Sequence, residues 1–221
     1  MNKLFVLLLI LSGAVNAFAQ NMEASFLELR GRVEIRDSPS SGWRRAALGG
    51  SIGNRAVIST GPGSSAVIAL GSSRLELRPL TMLTVEELAA RGSSESAALY
   101  LRTGRVRARV TPPTGQSVDF TVGSPAITAS VRGTSFEFDG RQLKVETGLV
   151  LLEGGGGQRV YVAEAQRTYR DENNQNRIMT PFEAEEVLLH PVIPELNNTG
   201  SVTRPPVIGG GTGTGIIIAW P

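Results

Sequence analysis

The chain has no cysteine and a single histidine, His190, in 221 residues. Without cysteine there is no disulfide, no thiolate nucleophile and no acceptor for a lipid at a cleavage site. One histidine, set before a proline, leaves histidine-clustered metal centres and Ser-His relays without their parts. Lysine is nearly missing as well: only Lys3 and Lys144 occur. Positive charge is therefore almost all arginine, always ionised and forked for carboxylate or phosphate contacts. Aromatic residues make up 5% of the chain and the net charge is only +2, so the molecule as a whole lacks the basic footprint of a nucleic-acid binder. The apolar run at residues 4–11 is too short to span a bilayer.

That run has another reading. Lys3 precedes it and Ala17-Phe18-Ala19 follows, which is the pattern of a secretory signal peptide cut after Ala19. The expected product is an exported protein of the periplasm or cell envelope, without a transmembrane anchor. The composition divides it into a β domain at residues 20–170, a polar break with a short helix at 171–192, and a flexible tail at 193–221.

Glycine is abundant, at 26 residues, and it punctuates short alternating runs. This predicts an all-β fold, a compact sandwich or roll of short strands with solenoid-like rungs. Residues 27–35 read as a first strand with Leu27, Leu29, Val33 and Ile35 on one parity and a bulge at Gly31. Trp43 is placed over one end of the core. Residues 84–90 are the one ambiguous piece, since Val85, Leu88 and Ala89 also fit a helical turn. Leu99, Leu101, Val106, Ala108 and Val110 point inward around a Thr103-Gly104 turn, leaving Arg102, Arg105, Arg107 and Arg109 outside. Asp139-Gly140 predicts a two-residue hairpin loop with Phe138 facing Arg141 and Phe136 facing Leu143. On that register Phe136, Phe138, Leu143 and Val145 share an apolar face. A second hairpin joins residues 149–153 to 158–163 through four glycines. Leu75-Glu76-Leu77 and Phe136-Glu137-Phe138 hint at a duplicated β-unit. Thr180-Pro181-Phe182-Glu183 is a capping-box start for a helix at residues 181–189.

The run Val122-Gly123-Ser124-Pro125-Ala126, then Val131-Arg132-Gly133-Thr134, Phe136 and Val145-Glu146-Thr147-Gly148 resembles the FecR-type periplasmic domain. Ile58-Ser59-Thr60-Gly61 and Ser64-Ser65-Ala66 extend the resemblance over about residues 29–170, with Arg132-Gly133-Thr134 as its most specific part. The family's glycine after the last strand pair is replaced, because the chain reads Ala163-Glu164-Ala165-Gln166. Well-known members of the family carry a cytoplasmic sigma-factor-binding segment and a transmembrane helix ahead of this domain. Neither pattern is seen in this sequence, so the resemblance implies a stand-alone periplasmic module rather than a direct anti-sigma regulator.

Catalysis is poorly supplied. The carboxylates Glu76, Asp119, Glu137, Asp139 and Glu146 could serve a glycan hydrolase, yet Glu137 and Glu146 fall on a solvent face where cross-strand partners explain them. No cofactor is implied. Arg132 is expected to tie down turn carbonyls, with Gly133 permitting the bend and Thr134 re-entering the sheet. Arg102, Arg105, Arg107 and Arg109 form a stripe for an anionic polymer or partner, unless acidic neighbours neutralise it. Ile216, Ile217, Ile218 and Trp220, held on a glycine linker, form a strand that needs an edge to pair with, on a partner or on this domain. The function expected is a non-catalytic binding or scaffolding module of the envelope. A sensor of a small anion or metal chelate, or a cell-wall glycan hydrolase, are the alternatives.

Overall fold

The computed structural model describes Met22, residues 24–171 and 177–189, and two short strands beyond them. It is an all-β sandwich whose path alternates between two sheets. Strand β1 (Ala24–Arg30) lies in a seven-stranded sheet. The chain then crosses to a nine-stranded sheet as β2 (Val33–Arg36), β3 (Arg44–Arg45) and β4 (Val57–Thr60). It returns as the hairpin β5 (Ser65–Leu70) and β6 (Ser73–Leu77), and crosses again as β7 (Met82–Arg91) and β8 (Ser94–Thr103). A single strand, β9 (Val106–Arg109), visits the seven-stranded sheet before β10 (Ser117–Gly123) and β11 (Ile127–Val131). Then come β12 (Ser135–Phe138) and β13 (Gln142–Thr147) in the first sheet, β14 (Leu149–Gly154) and β15 (Arg159–Ala163) in the second, and β16 (Arg167–Tyr169) in the first. Helix α1 (Pro181–Leu189) and a small pair, β17 (Glu195–Leu196) with β18 (Val202–Thr203), follow.

The spatial orders are β1-β5-β6-β9-β12-β13-β16 and β15-β14-β11-β10-β8-β7-β4-β2-β3. Apart from the β2–β3 end, both sheets are laid down in chain order, so each excursion adds a rung beside the last. One true coil occurs: β8, β9 and β10 go across and back, which leaves β8 and β10 parallel. Alternation explains the layers. In β5, Ala66, Ile68 and Leu70 are buried, and in β10 Val118, Phe120 and Val122 are. The two inner faces meet in one core, where the Phe120 and Phe136 rings from opposite sheets make an edge contact at 6.4 Å.

The crossings share a device. At three of them a glycine with positive φ lies against a Ser or Thr hydroxyl of a neighbouring crossing. The pairs are Gly31 with Ser64, Gly104 with Thr81, and Gly148 with Thr134. The hydroxyl also bonds the residue after the glycine: Arg32 N–H donates to Ser64 Oγ (2.8 Å), Arg105 N–H to Thr81 Oγ1 (3.1 Å), and Thr134 Oγ1 donates to the Leu149 carbonyl (3.0 Å). A crossing leaves both ladders, so its backbone groups need such partners. Thr134 thus owes its place in the Arg132-Gly133-Thr134 motif to the joint it makes between sheets.

Several expectations change. Residues 27–35 are two strands in different sheets with Gly31 between them; a bulge at Leu27 turns that side chain outward and leaves Phe26 in the core. Trp43 is 44% exposed and stacks under the Arg36 guanidinium, 5.2 Å from the ring centre. Residues 84–90 are strand: a bulge at Glu86 puts both Val85 and Leu88 inward, and that three-residue spacing is what imitates a helix. Thr103-Gly104 is a crossing between sheets, not a hairpin turn, though all five predicted inward side chains are buried.

The hairpin loop is Gly140-Arg141, one residue later than expected, so Phe138 pairs with Leu143 and Phe136 with Val145. Asp139 Oδ1 accepts from Arg141 N–H (3.0 Å) and Gln142 N–H (2.8 Å), which fixes Asp139 at the turn's first corner. Gly140, with φ 86°, then takes the first central position. The shift moves each partner by two residues, so the apolar face survives. The glycine hairpin and helix α1 form as expected. In the capping box Thr180 N–H donates to Glu183 Oε2 (2.7 Å) and Glu183 N–H to Thr180 Oγ1 (3.3 Å).

Candidate functional site

The outer face of the seven-stranded sheet carries a network of charged side chains. Strands β6, β9, β12, β13 and β16 lie side by side there, and their registers set residues of successive strands in rows. The middle row runs Glu76, Arg107, Glu137, Lys144, Arg167. Leu75-Glu76-Leu77 and Phe136-Glu137-Phe138 flank Val106-Arg107-Ala108 at equivalent register, which gives the suspected duplication a structural counterpart on either side of β9. Arg107 Nη2 donates to Glu146 Oε2 at 2.7 Å. That hydrogen bond, with the charges of Glu146, Glu76 and Glu137, raises the guanidinium's pKa above its ordinary value.

The neighbouring row holds Arg78, Arg105 and Asp139. Arg105 pairs with Glu137 (3.1 Å) and Asp139 (3.5 Å), and Arg78 with Glu76 (2.9 Å). An open groove of about 550 Å³ lies here between Arg78, Pro79, Gly104, Arg105, Asp139 and Arg141. A smaller one, about 240 Å³, continues past Lys144 to Arg167 and Tyr169.

The third row differs. Arg74 on β6 is directly opposite Arg109 on β9, and Arg109 is opposite Ser135 on β12. Both arginines are exposed, and among the described residues neither takes part in an ion pair. Like charges facing each other across a ladder are mutually destabilising. Two guanidinium forks with no carboxylate between them are a place for a bidentate anion.

The predicted arginine stripe is therefore split. Arg105 and Arg107 are engaged by acids, Arg109 is not, and Arg102 sits on β8 in the other sheet. Arg74 was missed, although its parity with Glu76 marks it as outward; nothing local tells which strand it will face. Arg132 is also corrected. Its side chain is 78% exposed and binds Asp119 Oδ1 at 3.0 Å, so it holds a carboxylate on β10 rather than turn carbonyls. Gly133 does supply the bend, with φ 74°. Ile216, Ile217, Ile218 and Trp220, and the predicted signal segment, lie outside the described residues. Among the described residues no three His, Cys, Asp or Glu side chains gather as metal ligands, and no helix is long and apolar enough to cross a membrane.

A family model described as FecR protein matches residues 56–155. Two crystal structures of a "putative anti-sigma factor" from Parabacteroides distasonis ATCC 8503 are similar in fold. The one at 1.65 Å resolution is 17% identical over 56% of this chain and 57% of that one, with a TM-score of 0.45. The one at 2.50 Å is 15% identical over 65% of this chain and 68% of that one, with a TM-score of 0.46. The chain thus spans little more than half of the first. Among curated proteins none matches.

Proposed function

Because residues 56–155 form a FecR domain, we propose that the protein is an exported, non-catalytic binding module of a bacterial cell-envelope regulatory system. FecR domains are periplasmic in envelope regulators. The residues after the predicted Ala17-Phe18-Ala19 site suit the same compartment. The observation that carries the reading is the Arg74–Arg109 pair. Arg78, Arg105 and Arg107 beside them are matched with acids, whereas these two face each other across the ladder with no ion pair among the described residues. Their partner is an anionic group of an envelope glycan or protein, held by paired N–H donors.

Titration calorimetry with a polyuronate tests this. Charge-assisted hydrogen bonds contribute about 1.5–3 kcal/mol each. Removing both arginines (Arg74→Ala with Arg109→Ala) should weaken binding at least about tenfold, the equivalent of ~1.4 kcal/mol. The equivalent loss at Arg105 should be smaller, since its donors already serve Glu137 and Asp139. Binding that is unchanged in the double variant would remove the basis of the proposal.

A further inference from the structure

The outer face that carries Arg74 and Arg109 holds a second pair of like charges. Lys144 on β13, two strands from β9, is directly opposite Arg167 on β16. Both are exposed, and among the described residues neither takes part in an ion pair. Lys144 has Glu137 across the ladder on its other side, but that carboxylate is taken up by Arg105 at 3.1 Å. Like charges set opposite each other cost stability. Here a guanidinium fork stands beside an ammonium, a donor set for the oxygens of a carboxylate or sulfate. The groove of about 240 Å³ opens over them.

The strand registers fix where the two pairs lie. Lys144 shares a row with Glu137 and Arg107, and Arg109 is two residues along β9 from Arg107. With strands about 4.8 Å apart and a rise of about 3.4 Å per residue, the backbones at Arg109 and Lys144 are about 12 Å apart. One carboxylate cannot be held at both. The ground between them is acidic: Glu137 lies on β12, and Glu146 reaches from β13 over β12 to Arg107, 2.7 Å away. A further anion set over these carboxylates would be repelled, whereas a hydroxyl can donate to their remaining lone pairs.

We infer that the ligand of this face is a glycan in which anionic sugars alternate with neutral ones. One anionic group lies on Arg74 and Arg109, the next on Lys144 and Arg167, and neutral hydroxyls lie over Glu137 and Glu146. The inference rests on the Arg74–Arg109 reading and adds to it a second station, a spacing, and the choice of a sugar over an acidic peptide. A peptide rich in acids carries its charge continuously and brings carboxylates onto the two glutamates. Repulsion there discriminates against it, as attraction at the stations selects the glycan.

Titration calorimetry with a hyaluronan hexasaccharide, whose glucuronates are separated by N-acetylglucosamine, tests this against a capped oligoglutamate of equal charge. The hexasaccharide should bind at least about tenfold tighter than the peptide. Lys144→Gln with Arg167→Gln should weaken it at least about tenfold, as should Arg74→Ala with Arg109→Ala. Lys144→Arg, which keeps the charge, should keep the affinity; a matching loss there would overturn the role of charge at this station. Unchanged binding in the Lys144–Arg167 variant would overturn the inference and leave the Arg74–Arg109 reading standing. Loss in that variant alone would overturn the Arg74–Arg109 reading, and with it a ligand that spans both stations. Equal or tighter binding of the peptide would overturn the choice of a glycan, and a hexasaccharide that does not bind would overturn the inference outright.

Discussion

Arg74 and Arg109 stand opposite each other on β6 and β9, with no carboxylate among the described residues paired to either. A fold under selection for stability alone would change one of them. Arg109→Ala is expected to raise stability by about 0.2–1 kcal/mol, most visibly at low salt, where exposed charges are least screened. Urea unfolding at two ionic strengths checks it. A loss of stability at low salt would mean that the two guanidiniums do not repel.

Gly104 and Gly133 both have positive φ, but their surroundings differ. A Cβ at Gly104 would lie 2.4 Å from the Thr81 Cα and 2.7 Å from the Leu80 carbonyl oxygen, whereas at Gly133 it meets only the Pro112 ring at 3.3 Å. Gly133→Ala should cost about 1–2 kcal/mol, the left-handed penalty alone. Gly104→Ala adds overpacking against backbone of about 1–3 kcal/mol. Denaturant midpoints should rank the two in that order; a reversed ranking would contradict the joint at Thr81.

Ala165 has φ 62° in the turn after β15, a conformation that favours glycine. Gln166 compensates by folding its side chain onto Ala163 N–H while its own N–H donates to the Ala163 carbonyl (3.1 Å). Ala165→Gly should stabilise the protein by about 1 kcal/mol, because glycine adopts this conformation without a Cβ clash. An unchanged or lower midpoint in thermal melting would show that the turn is not strained.

Glu183 is held below the usual carboxylate range, first by the N–H of Thr180 and further by the Thr180 hydroxyl and Arg177, against its partial burial. Its folded pKa lies below its unfolded one, about 4.3. The cap's contribution to α1 is complete above that value and is lost as pH falls through the folded one. Amide signals of residues 182–185 should report the helix start opening on acidification before the sandwich does. In Glu183→Gln that step should vanish; its persistence would place the acid sensitivity elsewhere.

Parity along a strand was legible throughout, because it needs only the neighbours in sequence. Phe136, Phe138, Leu143 and Val145 share the core as read, and so do the five side chains around Gly104. What pairs with what was less so. The Asp139 side chain, by capping two amides, moves the loop one residue along without disturbing the face. A single glycine serves equally for a hairpin turn and for a crossing, so β8 and β9 read as partners when they belong to different sheets. The extra residue at Glu86 changes strand spacing into helical spacing. For the candidate site, the outward arginines of β9 were readable. Their neutralisation was not, since Glu146 comes from β13, which is not even a neighbour of β9 in the sheet.

Laying both sheets down in chain order has a mechanical consequence. Most strands pair only with those a rung before and after, so cohesion is a series of neighbouring contacts rather than one closed network. A pull on the two ends would load the outermost rungs first and peel them off in turn, each release passing the tension to the next. Such a chain yields by steps under load, and a force sensor at its ends would read how many rungs remain.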